Sequence, residues 1–208
     1  RLDLRELRRK SGGFFGSGES TGSVGVVTIN LPRIAYLAES EADFYRRLNK
    51  MMDIAARSLK IKRTIITKLL DEGLYPYTKR YLGTFNNHFS TIGLIGMNEV
   101  GLNAKWLRKD LTHKETQEFA KDVLNHMRER LSDYQELYGD LYNLEATPAE
   151  STTYRLAKHD KKHYPAIITA NENGTPYYTN SSHLPVGYTA DIFEALDAQD
   201  ELHTLYTS

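Results

Sequence analysis

The chain contains no cysteine among its 208 residues. That removes a disulfide framework, thiolate zinc ligation and a cysteine nucleophile from what these residues can do by themselves. An excess of charge of either sign is missing as well, because 27 Lys plus Arg are matched by 27 Asp plus Glu and the formal net charge is zero. A general nucleic-acid binder needs a basic excess to neutralise phosphates, so that class is disfavoured. Long hydrophobic runs are also absent. The uncharged stretch Tyr81 to Asn98, which no other exceeds in length, still holds Asn86, Asn87, His88, Ser90 and Thr91, which are costly in hydrocarbon, and no membrane span is expected. The first ten residues carry five basic and two acidic side chains and do not begin with Met. They lack an apolar core followed by a small-residue cleavage site, so no signal peptide is expected. There is no Gly-Lys-Ser/Thr of a P-loop, no strand-preceded Gly-x-Gly-x-x-Gly and no Gly-x-Ser-x-Gly elbow.

What is present suits a packed domain or a piece of a larger one: 40% hydrophobic residues, with 14 Tyr, 7 Phe and 1 Trp. Gly12, Gly13, Gly16, Gly18, Gly22 and Gly25 make the start of the chain adaptable, and a loop is expected there. Ser23 to Ile29 is a β-branched, uncharged run that reads as a buried strand. From Ser40 to Gly73, apolar residues at Phe44, Leu48, Met51, Met52, Ala55, Leu59, Ile66 and Leu70 follow helical spacing, with Ser40 and Asp43 resembling a capping box and Gly73 a stop. Five basic residues between Arg57 and Lys68 fit a solvated helix face better than a phosphate contact. Ile92 to Ile95 reads as a second buried strand. Thr112 and Glu115 suggest a capping box for another long helix ending at Gly139, with Phe119, Val123, Met127, Leu131 and Tyr138 at helical spacing. Leu141 to Glu145 reads as a strand, Tyr154 to Lys162 as a helix, Ala166 to Ala170 as a strand and Thr179 to Pro185 as a polar loop. Asp191 to Leu202 is expected to be helical with Ile192, Phe193, Leu196 and Leu202 inward. Strands alternating with long helices imply an α/β architecture with a mainly parallel sheet.

The element with most chemical content is the turn Thr147-Pro148-Ala149-Glu150-Ser151-Thr152-Thr153 between strand and helix. Free backbone N–H groups and the helix dipole favour an anion there, although Thr147 or Ser151 acting as an ordinary cap, with Pro148 at the first position, explains the same residues. Glu145 stands at the carboxyl end of the preceding strand, where open sheets and barrels place ligand-binding groups. Asn30 stands in the same relation to Ser23–Ile29, and Asn180, Ser181 and Ser182 follow a third extended stretch, Tyr177 to Thr179. Three polar groups at three strand ends can converge on one pocket. His159 and His163 are four apart, but the Glu of a His-Glu-x-x-His zinc motif is missing and Asp160 lies between them, so no metal is expected.

Four strings carry a family resemblance: Gly25 to Ala35 (Gly-Val-Val-Thr-Ile-Asn-Leu-Pro-Arg-Ile-Ala), Gly93 to Glu99, Asn143 to Ala157 (Asn-Leu-Glu-Ala-Thr-Pro-Ala-Glu-Ser-Thr-Thr-Tyr-Arg-Leu-Ala) and Tyr177 to Val186. In this order they resemble the anaerobic, class III ribonucleoside-triphosphate reductases over nearly the whole chain. The resemblance implies that residues 1–208 are one internal section of the ten-stranded α/β barrel of the glycyl-radical/ribonucleotide reductase type. It places an N-terminal ATP cone and a C-terminal zinc and glycyl-radical region outside these residues, and the radical-bearing barrel cysteine just ahead of a segment like Arg1-Leu2-Asp3.

The implied activity is reduction of ribonucleoside triphosphates to deoxyribonucleoside triphosphates, an oxidoreductase function complete only in the full-length enzyme. No cofactor is expected within this section; the full enzyme is expected to use a glycyl radical, a structural zinc and formate as reductant. Implied partners are a ribonucleoside triphosphate substrate, nucleotide effectors, a second subunit of a homodimer and a radical-SAM iron–sulfur activase, in the cytoplasm. Carried onto this sequence, the resemblance makes Glu145 and Asn30 catalytic, Glu145 facing the ribose hydroxyls. It makes Thr147, Ser151, Thr152 and Thr153 phosphate-binding, with Ile29, Asn180, Ser181 and Ser182 lining the pocket. The alternative is a nucleotide-binding or dimerisation module without chemistry, its two long helices packed on a partner subunit.

Overall fold

The computed structural model describes residues 21–146, 149–171, 173–185, 187, 189 and 192–206. The charged start and Gly12 to Gly18 lie outside them, as do Thr147, Pro148 and Asp191. Three strands, β1 (Gly22–Asn30), β2 (His88–Ile95) and β3 (Tyr142–Glu145), form a parallel sheet in the order β1-β2-β3. The register pairs Thr28 with Gly93 and Gly93 with Glu145, and one step further Asn30 with Ile95. All three carboxyl ends therefore reach the same edge. The α/β class and the parallel sheet stand; the described residues contain three strands of a sheet rather than a closed barrel. The extended reading of Ala166 to Ala170 is corrected, since that segment forms turns and coil. Ile168 N–H is taken there by Asn103 Oδ1 rather than by a neighbouring strand.

Crossovers between the strands are helical. After β1 come α1 (Leu31–Leu37), α2 (Glu41–Asp71) and α3 (Pro76–Leu82). After β2 come α4 (Met97–Asn103) and α5 (Lys114–Tyr138), and after β3 comes α6 (Glu150–His163); α7 (Ile192–His203) closes the described chain. Ser40 caps α2 by accepting Asp43 N–H at 3.2 Å, while the Asp43 carboxylate reaches back to Glu39 N–H at 3.1 Å, one residue outside the usual capping-box partner. Gly73, at φ +84°, ends α2 in a Schellman motif, with its N–H on Leu70 O and Leu74 N–H on Leu69 O. The Thr112 capping box is not formed. His113 occupies the N-cap without a side-chain bond, because Thr112 is turned to the Asp110 carboxylate.

Alternation along the strands gives the sheet two unlike faces. Val27, Ile29, Ile92, Leu94, Tyr142 and Leu144 point to one face, where they join Phe44, Leu48, Met52 and Leu59 of α2 and Phe119, Val123 and Met127 of α5 in the main core. Phe44 packs edge-on against Phe119 at 5.4 Å between ring centroids and Trp106 at 6.0 Å. Polar latches join the two long helices across this core: His126 to Asn49 at 2.6 Å and Tyr134 O–H to Asp53 at 2.6 Å. The opposite face carries Thr28, Asn30, Thr91, Gly93, Asn143 and Glu145. Among the described residues it carries a small second cluster of Ile95, Ala157 and Tyr178 near its carboxyl end.

Two expectations about exposure fail. Arg63, within the basic run assigned to a solvated face, is buried on the core stripe of α2 and donates to Phe85 O, His88 O and Ser90 Oγ. In α7 Leu202 is buried as expected, but Phe193 and Leu196 are exposed.

Candidate active site

The carboxyl edge of the sheet is built by turns that lead β1 and β2 directly into a helix. Asn30 ends β1 and is at once the N-cap of α1, its Oδ1 accepting Arg33 N–H at 3.3 Å, with Pro32 in the first turn. At the end of β2, Gly96 takes φ +73°, and a Cβ there would stand 2.3 Å from Pro32 Cγ. Only glycine lets α4 start this close to α1. The chain from Thr179 to Ser182 then docks on that turn: Gly96 N–H donates to Thr179 O at 2.8 Å and Met97 N–H to Ser181 O at 3.0 Å, and Ile95 bridges Asn180 antiparallel. Ser181 is held at φ +43°, a conformation that costs a non-glycine residue about 1 kcal/mol.

Two buried carboxylates support this edge. Glu99, fully buried, accepts Thr179 N–H at 3.0 Å, Thr179 O–H at 2.9 Å and Asn98 Nδ2 at 3.0 Å. Burial pushes its carboxyl above the ordinary value, and the Asn98 and Thr179 bonds pull the other way. Asp160, on α6, is also fully buried and accepts from Asn30, Arg33 and Tyr178. The Tyr178 hydroxyl is raised far above its usual value, first by burial and then by its bond to Asp160. Ser182 is buried and accepts from the Tyr206 hydroxyl at 3.1 Å, while burial pushes Tyr206 up to about 12.

The residues singled out from the sequence are only partly brought together. Asn30 and Glu145 share the polar face and the same edge, two strands and about 10 Å apart by ordinary inter-strand spacing. Between Thr28 and Glu145 on their common rung, β2 contributes only Gly93 and hence no side chain. Among the described residues the Glu145 carboxylate has no hydrogen-bond or ion-pair partner. Ile29 is separated from this face: strand alternation sends its side chain into the core, where it is 2% exposed.

Helix α6 begins one turn beyond Glu145. Its N-cap is Ala149, which has no side chain to cap with, and Ala149 N–H donates to Asn180 Oδ1 at 3.2 Å. Ser151 lies inside the first turn and is exposed, so the reading of Ser151 as the cap is corrected. Thr152 is half-buried beside it. Thr153 is buried and spends its hydroxyl on Glu150 O at 2.8 Å, which removes that group from ligand contact. Thr147 lies outside the described residues. Among the described residues the first-turn amides of this 14-residue helix have no side-chain cap, and Ser151, Thr152 and Asn180 flank them. Such an end attracts anions.

Sequence reasoning missed Asp160, Glu99 and Arg33. One signal was available: Asp160 follows Thr153 and Ala157 at the spacing of the buried stripe of α6, where a charge requires a partner. For metal binding the arrangement offers little. His163 Nδ1 lies 2.8 Å from His159 O, and no group of three His, Asp or Glu suited to a metal occurs among the described residues, so zinc chemistry has no donor set there.

Parallel strands turning directly into helices, with polar groups collected at their carboxyl edge, define an α/β fold of the kind that binds ligands at that edge. The family model described as anaerobic ribonucleoside-triphosphate reductase matches residues 1–208, and the chain belongs to that family. It is 31% identical over 190 residues to the anaerobic ribonucleoside-triphosphate reductase of Haemophilus influenzae, covering 84% of this chain and 26% of that protein. Against the enzyme of the same name from Enterobacteria phage T4 it is 28% identical over 204 residues, 89% of this chain and 32% of the relative. The crystal structure of the anaerobic ribonucleotide reductase from Thermotoga maritima with glycerol in the active site shares the fold, with a TM-score of 0.76 at 24% identity over 90% of this chain and 30% of that one. The chain thus spans about a quarter to a third of the length of these relatives. No helix among the described residues is long and apolar enough to cross a membrane.

Proposed function

We propose that these 208 residues form a substrate-holding part of the catalytic barrel of an anaerobic ribonucleotide reductase, within the ten-stranded α/β barrel. In the complete enzyme this part takes part in reducing ribonucleoside triphosphates. The observation that carries the reading is the shared edge: the N-terminus of α6 and the Glu145 carboxylate, both without a side-chain partner among the described residues, stand with the Asn30 amide at the carboxyl ends of three parallel strands. The α6 amides, with Ser151 and Thr152, hold the phosphates. Asn180 to Ser182 form a wall whose position is set by main-chain bonds. Asn30 orients a ribose hydroxyl, and Glu145 accepts its hydrogen bond and holds the proton released as the ribose loses water.

The radical that starts the reaction belongs to residues beyond this section, since a thiyl radical requires a cysteine and the chain has none. Glycyl radical, zinc, formate, nucleotide effectors, the second subunit and the activase likewise belong to the full-length protein in this reading. The test is Glu145→Gln in the full-length enzyme under anaerobic conditions. Turnover is expected to vanish while nucleotide binding stays within about threefold, because the amide keeps the shape but cannot take a proton. Near-normal turnover removes Glu145 from the chemistry. A module without chemistry is the competing reading, and it predicts normal reduction after this change.

A further inference from the structure

One acid on α6 bonds directly to a candidate site residue and to two side chains beside it. The Asp160 carboxylate, fully buried, accepts Asn30 Nδ2 at 2.8 Å and the Tyr178 hydroxyl at 2.7 Å on Oδ2. Its Oδ1 accepts Arg33 Nε at 2.6 Å, and a second guanidinium nitrogen of Arg33 approaches the same oxygen. The carboxylate therefore joins the end of β1, the first turn of α1, helix α6 and the stretch before Thr179. A buried acid without such donors would be severely penalised, and here a guanidinium, an amide and a phenol supply them.

The consequence falls on the Asn30 amide. Its Oδ1 faces Arg33 N–H at 3.3 Å and its Nδ2 faces the Asp160 carboxylate. Turning the amide over would set its oxygen against a carboxylate oxygen and its NH₂ against an N–H, replacing two attractions by two repulsions. Only one orientation is allowed, with one N–H and one oxygen lone pair uncommitted among the described residues. We infer that Asp160 is a positioning residue for the reductase reaction: it locks the Asn30 side chain so that the amide meets the ribose with a fixed donor and a fixed acceptor. This rests on the reading of Asn30 as a substrate-facing residue. Asp160 acts through Asn30 and touches no substrate.

A double-mutant cycle tests it in a full-length reductase carrying this section. Asn30→Ala, Asp160→Asn and the double variant are compared for kcat and KM with a ribonucleoside triphosphate. Asp160→Asn is expected to lower kcat at least about tenfold with KM within about threefold, since orientation rather than binding is lost. In the Asn30→Ala background the same change is expected to alter kcat by less than about twofold, the signature of two residues acting as a unit. A merely structural acid gives losses that multiply, and that result, or a kcat within twofold of the parent in Asp160→Asn alone, overturns the inference. Full activity in Asn30→Ala has a different meaning: it overturns the substrate-facing reading of Asn30, and the inference falls with it. Should Asp160→Asn not accumulate as folded enzyme, Asp160→Glu, which keeps the charge and displaces the carboxylate by one methylene, carries the same criterion.

Discussion

The two faces of the sheet solve opposite problems with the same strands. On the helix-packed face, Ile29, Ile92, Leu94 and Leu144 alternate into a continuous apolar layer against α2 and α5, and each is almost completely buried. On the other face the intervening residues are Thr28, Asn30, Thr91, Gly93, Asn143 and Glu145, and Asn143 Oδ1 is buried with no partner among the described residues. One face is stabilised by area removed from water. The other holds polar groups in place by spending buried acids, glycine and a strained Ser181. Side chains two residues apart thus answer to unlike demands, and a substitution reveals its face by what it damages.

The comparison is tested most severely in the core. Phe44→Ala removes a ring in contact with Phe119 and Trp106, and is expected to cost about 3–5 kcal/mol in urea unfolding. A loss under about 1 kcal/mol would mean that stability does not reside on the helix-packed face. Next in size comes a pH effect at the supporting acid Glu99. Its folded pKa lies above the ordinary 4.5, so the folded protein binds more protons than the unfolded chain between the two values. Stability contributed by this group therefore falls as pH rises through that window and levels off above the folded pKa. Glu99→Gln is expected to flatten that part of the urea midpoint against pH, and identical slopes in parent and variant contradict it. The smallest effect belongs to the polar face. Asn143→Ala, despite the burial of the side chain, is expected to change stability by less than about 1 kcal/mol, because it also removes an unsatisfied acceptor. A cost equal to that of Phe44→Ala would erase the distinction between the faces.

Much of the helix-packed side was legible in the sequence because periodicity encodes it. Ser40, Phe44, Leu48, Met52, Leu59 and Gly73 announce α2 from cap to stop, and the β-branched run at Ser23 to Ile29 announces β1. Helices α1 and α4 escaped because seven residues are too few for a 3.6-residue period to repeat, although Asn30 followed by Pro32 is a start signal in its own right. The site was legible only as residue types at strand ends. Which of them meet depends on register and on partners distant in sequence: Asp160 lies 130 residues from Asn30 and Thr179 lies 80 from Glu99. Arg63, Asp160 and Glu99 share the feature that misleads a linear reading, a charge on a buried surface, where composition suggests solvent.

The wall from Thr179 to Ser182 is fastened by its carbonyl oxygens to the amides of Gly96 and Met97, bonds that any amino acid can make. Its course is therefore written in the backbone of the turn that receives it, while the Asn180 side chain reaches out from that rail to hold Ala149 N–H at the start of α6. Gly96 is the fitting on which the rail is mounted: a Cβ there would meet Pro32, so any side chain at this position displaces the wall and α1 together.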